Sequence, residues 1–319
     1  MKKIFKFLMS LLLVFTITSC EKDETSEKFM IKGHIENTTL INIDAQELKE
    51  MIIEEQSFIL LIMLNGCTSC EGFKQDIVNP FIEESKSNIY SISSIELDSL
   101  QYDNKPSYSI APTIVIYKDG KEIIKKEYNY KDAIFTDKNE FSTFIYSYCV
   151  EPRLIELDED NADQKIENND SFVLYVGWYR CGDCQMLSSE VLDNYLLNND
   201  KTMYYLESDK YRSLKPIEEP ILSENPTQEQ LQEKENWDNW IAFANKYGFA
   251  SYRDGKVPSI IYYENGIVKD YIVYRNDVIT DGIVTQSYYD DLIGQKLDND
   301  QLLQYHNDKV VEFLNKYCK

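Results

Sequence analysis

One sequence pattern occurs twice in this chain, and this repeat limits the possible folds more than any other feature. Each copy contains a Cys-x-x-Cys motif directly after a short apolar run, at Cys67 and Cys70 and again at Cys181 and Cys184. A Ser-Phe pair precedes each first cysteine at the same distance, and these positions repeat with a constant offset of 114 residues. A repeat of this length indicates two structural units of one kind.

The later part of each copy repeats as well. Pro112 and Pro258 each precede an apolar run, and each copy closes with a Tyr-Cys pair that contains Cys149 or Cys318. The second copy is longer, because 74 residues separate Cys184 from Pro258 where 42 separate the matching residues of the first copy. The repeat therefore accounts for most of the chain.

These boundaries predict the domain organisation. We predict a first domain over residues 41–150 and a second over residues 151–319. The extra residues of the second domain include Trp237 and Trp240 at helical spacing, which predicts a helical insertion at about residues 205–245.

Hydrophobic periodicity predicts the order β-α-β, then Cys-x-x-Cys, then α-β, and after the proline β-β-α. A continuous apolar run over residues 59–64 is typical of a buried parallel strand. The other elements predicted around it in the first copy are a short strand near Ile41, helices over 45–55, 70–85 and 139–149, a strand over 89–97, and a hairpin of 113–117 with 121–127.

This order, with both motifs in place, resembles the thioredoxin fold present twice, over about residues 41–149 and 155–318. In that family the Cys-x-x-Cys lies between the central strand and the next helix, and a cis-proline faces it. Pro112 and Pro258 stand at the matching positions. The resemblance implies an α/β chain of two tandem thioredoxin-like folds, each a central mixed sheet flanked by helices. It also implies a thiol–disulfide oxidoreductase that uses no bound cofactor.

The chain departs from the family pattern at several positions. Thioredoxins usually carry Trp-Cys-Gly-Pro-Cys, whereas neither dipeptide here contains proline and Trp178 stands three residues before Cys181. The family also has a buried acid six residues before its first cysteine, where this chain has Leu61 and Tyr175. These departures bear on efficiency as a reductant and less on redox activity in general.

Thiol–disulfide exchange needs one thiolate that attacks and a second thiol that resolves the mixed disulfide. A helix N-terminus favours negative charge and lowers the pKa of a cysteine placed there. The resemblance therefore assigns the attack to Cys67 and Cys181. It assigns the resolving step to Cys70 and Cys184.

Neighbours of the motifs have predicted supporting roles. The cis-prolines Pro112 and Pro258, with Ala111 and Val257 before them, are predicted to bind substrate, because backbone groups there can pair with an extended segment. The dipeptide of the first motif is neutral. In the second motif, Arg180 would lower the pKa of the first cysteine, and Asp183 would oppose that effect.

Other interpretations stay open from the sequence. The two cysteine pairs could together hold one zinc ion through four thiolates. Each pair could instead be an inert structural disulfide, or one copy could be a degraded binding module. At the level of function, the alternatives are a redox-silent thioredoxin-like binding or adaptor lipoprotein and an acidic calcium-binding surface protein with runs such as Asp158-Glu159-Asp160.

The first residues carry an export signal. Lysines at the start precede an apolar run over residues 7–17, which is too short to span a bilayer comfortably. The run ends in Ile17-Thr18-Ser19-Cys20, which resembles the lipobox of bacterial lipoproteins. The resemblance implies a signal peptide over 1–19, acylation of Cys20, a lipid-anchored tether over 20–40, and an extracytoplasmic protein attached to the bacterial cell membrane.

Charge and composition restrict the partners. With 33 Lys and Arg against 55 Asp and Glu, the formal net charge is −22, which argues against nucleic acid as a partner. Two histidines are too few for most His-based hydrolases and His-rich metal sites, and we predict no metal site. The expected partners are thiols and disulfides of exported proteins, a redox partner protein, and the membrane through Cys20.

Cys149 and Cys318 lie outside both motifs. They occupy matching places near the end of each closing helix, on its apolar pattern. A bridge between them would need Cα atoms within about 7 Å. Two copies joined head to tail need not bring these helix ends together, so we predict separate buried thiols that pack in the core.

Overall fold

The structure, a computed structural model, describes residues 28–318, so the predicted signal peptide, Cys20 and the first part of the predicted tether lie outside the described residues. The elements up to Tyr148 form the first half of the chain. They are β1 (Phe29–Met30), β2 (Gly33–His34), β3 (Ile41–Asn42), α1 (Ala45–Ile53), β4 (Phe58–Met63), α2 (Thr68–Phe73), α3 (Asn79–Ser85), β5 (Ile89–Ser93), α4 (Ser94–Ser99), β6 (Thr113–Lys118), β7 (Lys121–Glu127) and α5 (Lys138–Tyr148).

The second half repeats this order with additional elements. The additions are one long helix before the second proline and a hairpin before the closing helix, where the sequence is longer. The elements are β8 (Cys149–Val150), β9 (Leu154–Leu157), α6 (Glu159–Glu167), β10 (Phe172–Gly177), α7 (Gly182–Leu187), α8 (Asp193–Asn198), β11 (Met203–Glu207), α9 (Asp209–Arg212), α10 (Gln228–Lys246), β12 (Ser259–Glu264), β13 (Ile267–Val273), β14 (Val278–Thr280), β15 (Ile283–Gln286) and α11 (Asn299–Tyr317).

The first half contains a mixed five-stranded sheet in the order β3-β5-β4-β6-β7. Strands β3, β5 and β4 run parallel, and β6 and β7 are antiparallel to their neighbours. Alternate side chains of the apolar strand β4 point to opposite faces. Ile59 and Leu61 pack in one core cluster, and Leu60 and Ile62 pack in another. The continuous apolar run therefore reflects burial on both faces, as its sequence predicts.

The second half contains a six-stranded sheet in the order β13-β12-β10-β11-β9-β2. Its first five strands repeat the layout of the first sheet, with β9, β11 and β10 parallel and β12 and β13 antiparallel to their neighbours. The sixth strand, β2, comes from the N-terminal segment and pairs in parallel with β9. Both halves are thus mixed α/β structures with helices packed on a mixed sheet.

The N-terminal segment corrects our predicted tether. Residues 29–34 lie in the range 20–40 that we assigned to a tether, but β1 pairs with β8 and β2 pairs with β9. The same segment contacts the first half, because the N–H of Asn88 donates to the carbonyl oxygen of Lys32 at 2.8 Å. Its apolar side chains, such as Ile31, are buried. Residues 29–34 are therefore held in the fold by burial and by pairing with strands that lie far along the chain.

Close packing at Gly33 explains why a glycine stands there. A Cβ atom on Gly33 would lie 2.6 Å from Cβ of Pro152 and 3.0 Å from the carbonyl oxygen of Lys86. Pro152 belongs to the link between the halves, and Lys86 belongs to the first half. The N-terminal segment therefore passes between backbone and side-chain atoms that leave no room for a side chain.

The helix that follows each motif differs from the single helix predicted over residues 70–85. In both halves a five-residue π-helical segment separates two α-helices, at Lys74–Val78 and at Ser188–Leu192. Pro80, which lacks an N–H, lies just after the first segment, but Asn194 stands at the matching place in the second half. A proline is therefore not required for the π-helical segment.

The strand predicted over residues 89–97 is too long. β5 ends at Ser93, whose hydroxyl accepts a hydrogen bond from the N–H of Glu96 at 3.1 Å and so begins α4. The apolar residues Ile95 and Leu97 continued the strand-like alternation in the sequence. Serine caps of this kind favour a helix start over a longer strand.

The described residues include no helix that is long and apolar enough to cross a membrane.

Candidate functional site: two Cys-x-x-Cys motifs at helix starts

The first motif lies at the junction of β4 and α2. Cys67 is the N-cap residue of α2, and the N–H of Cys70 donates to its Sγ at 3.1 Å. The two cysteines form a disulfide, with their Cα atoms 5.2 Å apart. Cys70 is completely buried, whereas Cys67 is partly exposed. The first cysteine is therefore the one that a partner can reach.

A cis-proline faces this motif. The peptide bond between Ala111 and Pro112 is cis, and the carbonyl oxygen of Ala111 lies 3.9 Å from Sγ of Cys67. The hydroxyl of Thr113 donates to the carbonyl oxygen of Ile110 and closes the turn. The structure therefore brings together the cysteines and the proline loop that the sequence assigned to one site.

The second motif has the same arrangement in the other half. Cys181 is the N-cap residue of α7, and its thiol donates to the carbonyl oxygen of Val257 at 3.8 Å. The peptide bond between Val257 and Pro258 is cis. Cys181 is partly exposed and Cys184 is buried, and both are free thiols in this structure. The two sites thus share geometry but differ in oxidation state.

The two thiols of the second motif differ in acidity. A hydrogen bond from the Cys184 thiol is the largest cause that lowers the pKa of Cys181 to about 7, while burial and the charge of Asp183 oppose it. Burial raises the pKa of Cys184. Cys181 is therefore the thiolate former and Cys184 is held protonated, as an attacking and a resolving thiol require.

The predicted influence of Arg180 on Cys181 is not seen in the geometry. Its guanidinium Nε donates to the hydroxyl of Tyr179 at 2.5 Å, and the group lies 4.9 Å from the centroid of that ring. Asp183 acts as expected, because its charge raises the pKa of Cys181. The guanidinium of Arg180 thus has the neighbouring aromatic ring as its partner.

Two carboxylates that the sequence did not single out fix the loop before Cys181. The indole N–H of Trp178 donates to Oδ1 of Asp209 at 2.7 Å, and the backbone N–H of Tyr179 donates to Oε2 of Glu207 at 3.1 Å. Glu207 also accepts from the hydroxyl of Tyr205. The matching positions of the first half hold Ile95 and Ser93, so no repeated pattern marks these acids.

A cavity of about 820 Å³ lies beside Cys184. Tyr175, which stands where the thioredoxin pattern has an acid, lines it and donates from its hydroxyl to the carbonyl oxygen of Cys184 at 3.5 Å. The cavity walls also include Lys32 from the N-terminal segment and Glu156 from β9. Burial raises the pKa of the Glu156 carboxyl. Cys184 therefore borders a cavity whose lining also includes Glu54 of the first half.

The described residues contain no cluster of side chains that fits the zinc or the calcium interpretation. In residues 28–318, no group of three or more His, Cys, Asp and Glu side chains is placed to hold a metal ion. The acidic run that begins at Asp158 starts helix α6, since its carboxylate accepts from the N–H of Asn161 at 2.7 Å. Glu159 accepts from Lys210 and Tyr211, each at 2.9 Å.

Cys149 and Cys318 are separate buried thiols, as predicted. Both are free, and their exposed fractions are 0% and 4%. Burial raises the pKa of Cys149 to about 12 and the pKa of Cys318 to about 11. Each packs in the core cluster of its own half, so neither belongs to a functional site.

No protein-family model and no curated protein matches the chain. Similar solved structures include a mutant thioredoxin from Halobacterium salinarum, 16% identical, with a TM-score of 0.29, over 36% of this chain and 94% of that one. The oxidised thioredoxin from Plasmodium falciparum is 16% identical, with a TM-score of 0.27, over 35% of this chain and 100% of that one. The thioredoxin from Fasciola hepatica is 17% identical, with a TM-score of 0.27, over 34% of this chain and 99% of that one. Each likeness covers about a third of this chain.

Proposed function

We propose that this chain is an extracytoplasmic lipoprotein that carries out thiol–disulfide exchange on exported proteins through two Cys-x-x-Cys sites. The observation that carries the proposal is the position of the first cysteines. Cys67 and Cys181 each cap a helix N-terminus, and each sulfur lies within 3.9 Å of the carbonyl oxygen that precedes a cis-proline.

This geometry supports both parts of an exchange reaction. The N-terminal N–H groups of the helix stabilise a thiolate on the first cysteine. The backbone of Ala111 or Val257 lies open beside that sulfur and can pair with an extended substrate segment, as an added strand would. A substrate sulfur bound there would lie next to the attacking atom.

The reaction balances without a cofactor. The Cys181 thiolate attacks a substrate disulfide, forms a mixed disulfide and releases one substrate sulfur as a thiolate. Cys184 then loses its proton and attacks the Cys181 sulfur, which releases the second substrate thiolate. The protein ends with a disulfide, and the two protons of its thiols end on the two substrate thiols. The reverse sequence, starting from the disulfide form, oxidises a substrate dithiol.

The extracytoplasmic part of the proposal rests on the N-terminal sequence. A charged start, a short apolar run and Ile17-Thr18-Ser19-Cys20 support export and lipid attachment. A disulfide between Cys67 and Cys70 is consistent with a compartment in which thiols are oxidised. A redox partner protein would then return each site to its starting state.

Trapping of mixed disulfides tests the exchange reaction. Cys70→Ser and Cys184→Ser remove the resolving thiols, so each variant should accumulate disulfide-linked substrates that are released by reductant. The matched controls Cys67→Ser and Cys181→Ser lack the attacking sulfur and should trap none. If neither resolving-cysteine variant traps a species in its own cell, the redox-silent binding protein becomes the better interpretation.

A further inference from the structure

Four cations gather beside the second motif. Arg212 ends α9, Lys215 follows it, and Arg253 and Lys256 lie in the loop that leads to the cis-proline Pro258. No carboxylate of residues 28–318 lies within ion-pair distance of any of these four side chains. Because the chain has a formal net charge of −22, its overall composition does not account for a cluster of four cations.

Two of the cations lie beside residues that contact the thiols of the second motif. Lys256 directly precedes Val257, whose carbonyl oxygen is 3.8 Å from Sγ of Cys181. The guanidinium of Arg212 lies 5.1 Å from the ring centroid of Trp178, and the backbone N–H of Trp178 donates to Sγ of Cys184 at 3.4 Å. Positive charge thus borders both the substrate-pairing backbone and the loop that carries the thiols.

Repulsion among these cations is only partly relieved within the described chain. Burial, and then the charges of Arg212 and Lys256, lower the pKa of Lys215 to about 8. Burial, Arg212 and Arg253 likewise lower the pKa of Lys256. The negative charge of Asp254 opposes this effect at both lysines. A bound anion would therefore lower the free energy of this group.

The first motif shows that the fold does not require cations here. Ile110 stands in the first half where Lys256 stands in the second, and Leu64 stands where Trp178 stands. Both apolar side chains are largely exposed, at 47% and 48%. Two sites with the same backbone arrangement thus present different surfaces to a substrate.

We infer that the second site selects substrate segments in which acidic residues flank the reacting cysteine. The inference rests on the proposed function and specifies the substrate class of one of its two sites. A segment paired with the backbone at Val257 would place neighbouring carboxylates within reach of Lys256 and Arg212. Arginine and lysine form charge-assisted hydrogen bonds with such carboxylates, and partly buried cations lose little further hydration on binding them.

Two peptides of equal length test this selectivity. Both are symmetric disulfide dimers, one with Asp and the other with Lys on each side of the cysteine. The full-length reduced protein carries Cys67→Ser and Cys70→Ser, so only the second site reacts, and release of peptide thiol in a single turnover gives a second-order rate constant. We expect the acidic peptide to react about tenfold faster, with a preference that falls as salt is added.

Substitutions then identify the source of the preference. Lys256→Glu should reverse the preference, and Lys256→Ile, which copies the first half, should reduce it severalfold. Lys131→Gln, a control in the first half, removes one positive charge as Lys256→Ile does and should leave the preference unchanged. The ratio of two rates measured on one preparation is insensitive to a small unfolded fraction.

The outcomes separate the two proposals. Equal rates for both peptides, or a preference that Lys256→Glu does not change, would overturn the substrate class and leave the exchange reaction standing. If neither peptide reacts and no mixed disulfide forms at Cys181, the proposed function fails and the substrate class fails with it. With Cys181→Ser and Cys184→Ser in place of the first pair of substitutions, the first site should show no preference for the acidic peptide.

Discussion

Nε2 of His306 lies 2.6 Å from Oδ2 of Asp277, and the two side chains are only 1% and 7% exposed. The contact joins the closing helix α11 to the segment that follows β13 in the longer second half. Burial alone would raise the pKa of Asp277, but hydrogen bonds from His306 and Ser287 outweigh it and lower the pKa of this carboxyl. The pair therefore stabilises the second half while the carboxyl is ionised.

Asp277→Asn should reduce the free energy of unfolding by about 1–3 kcal/mol at neutral pH, because it removes the carboxylate that shares a buried hydrogen bond with His306. A lowered folded-state pKa contributes stability above the unfolded pKa of about 3.9, and this contribution is lost as pH falls through the folded value. The difference between wild type and variant should therefore shrink below about pH 4. Urea unfolding at several pH values measures it. Asp308→Asn, at an exposed position of helix α11, is the control. Equal losses of unfolding free energy for the two variants would contradict the stabilising role of the contact between Asp277 and His306.

The reactivity of Cys181 should depend on pH with a midpoint of about 7. Alkylation of the fully reduced protein by iodoacetamide, followed by peptide mapping, measures this midpoint. Cys184→Ala removes the hydrogen bond that lowers the pKa of Cys181, so the midpoint should rise. Cys149, whose pKa burial raises to about 12, should stay unmodified in the folded protein. A wild-type midpoint at the unperturbed thiol value of about 8.5 would refute the prediction.

Gly33→Ala should destabilise the protein by about 1–3 kcal/mol, because the new Cβ would overlap Cβ of Pro152 at 2.6 Å and neither backbone can move freely. Gly72→Ala is the matched control, since nothing lies within 4 Å of a Cβ at that position. Chemical denaturation of both variants makes the comparison. If Gly33→Ala and Gly72→Ala have the same unfolding free energy, the packing around Gly33 is looser than the structure indicates.

Lipid attachment at Cys20 remains a prediction from the sequence. Cys20→Ala should prevent acylation, release the protein from membranes into the soluble fraction and change its mass. Fractionation with mass spectrometry of the intact protein measures both effects. A variant that keeps the mass and the membrane association of the wild type would rule out the lipobox interpretation.

Local patterns in the sequence predicted the five strands of the first sheet, and the family resemblance located the cis-prolines Pro112 and Pro258. Each of these features depends on residues close together in the chain. Long-range contacts were not predictable in this way. The N-terminal strands β1 and β2 pair with residues more than a hundred positions away, so no local period marks them. The anchoring of Trp178 by Asp209 likewise depends on a fold that brings two separate loops together.

Alternating apolar residues led to a predicted strand that extends past Ile95. In the structure, the side chain of Ser93 caps a helix that begins before that residue. Arg180 precedes Cys181 in the sequence, and in the structure its guanidinium stacks on the ring of Tyr179 and donates to the hydroxyl of that residue. The sequence located this charge but did not predict its aromatic partner.

The N-terminal strands have a mechanical consequence. If residue 20 is held in a bilayer, any pull between the membrane and the folded chain enters at β1 and β2. Those strands are hydrogen-bonded along their length to β8 and β9, and Asn88 of the first half donates to Lys32 between them. A load on the anchor would be shared in shear by contacts to both halves, so the two halves, each with its Cys-x-x-Cys motif, would resist extraction as one unit rather than one after the other.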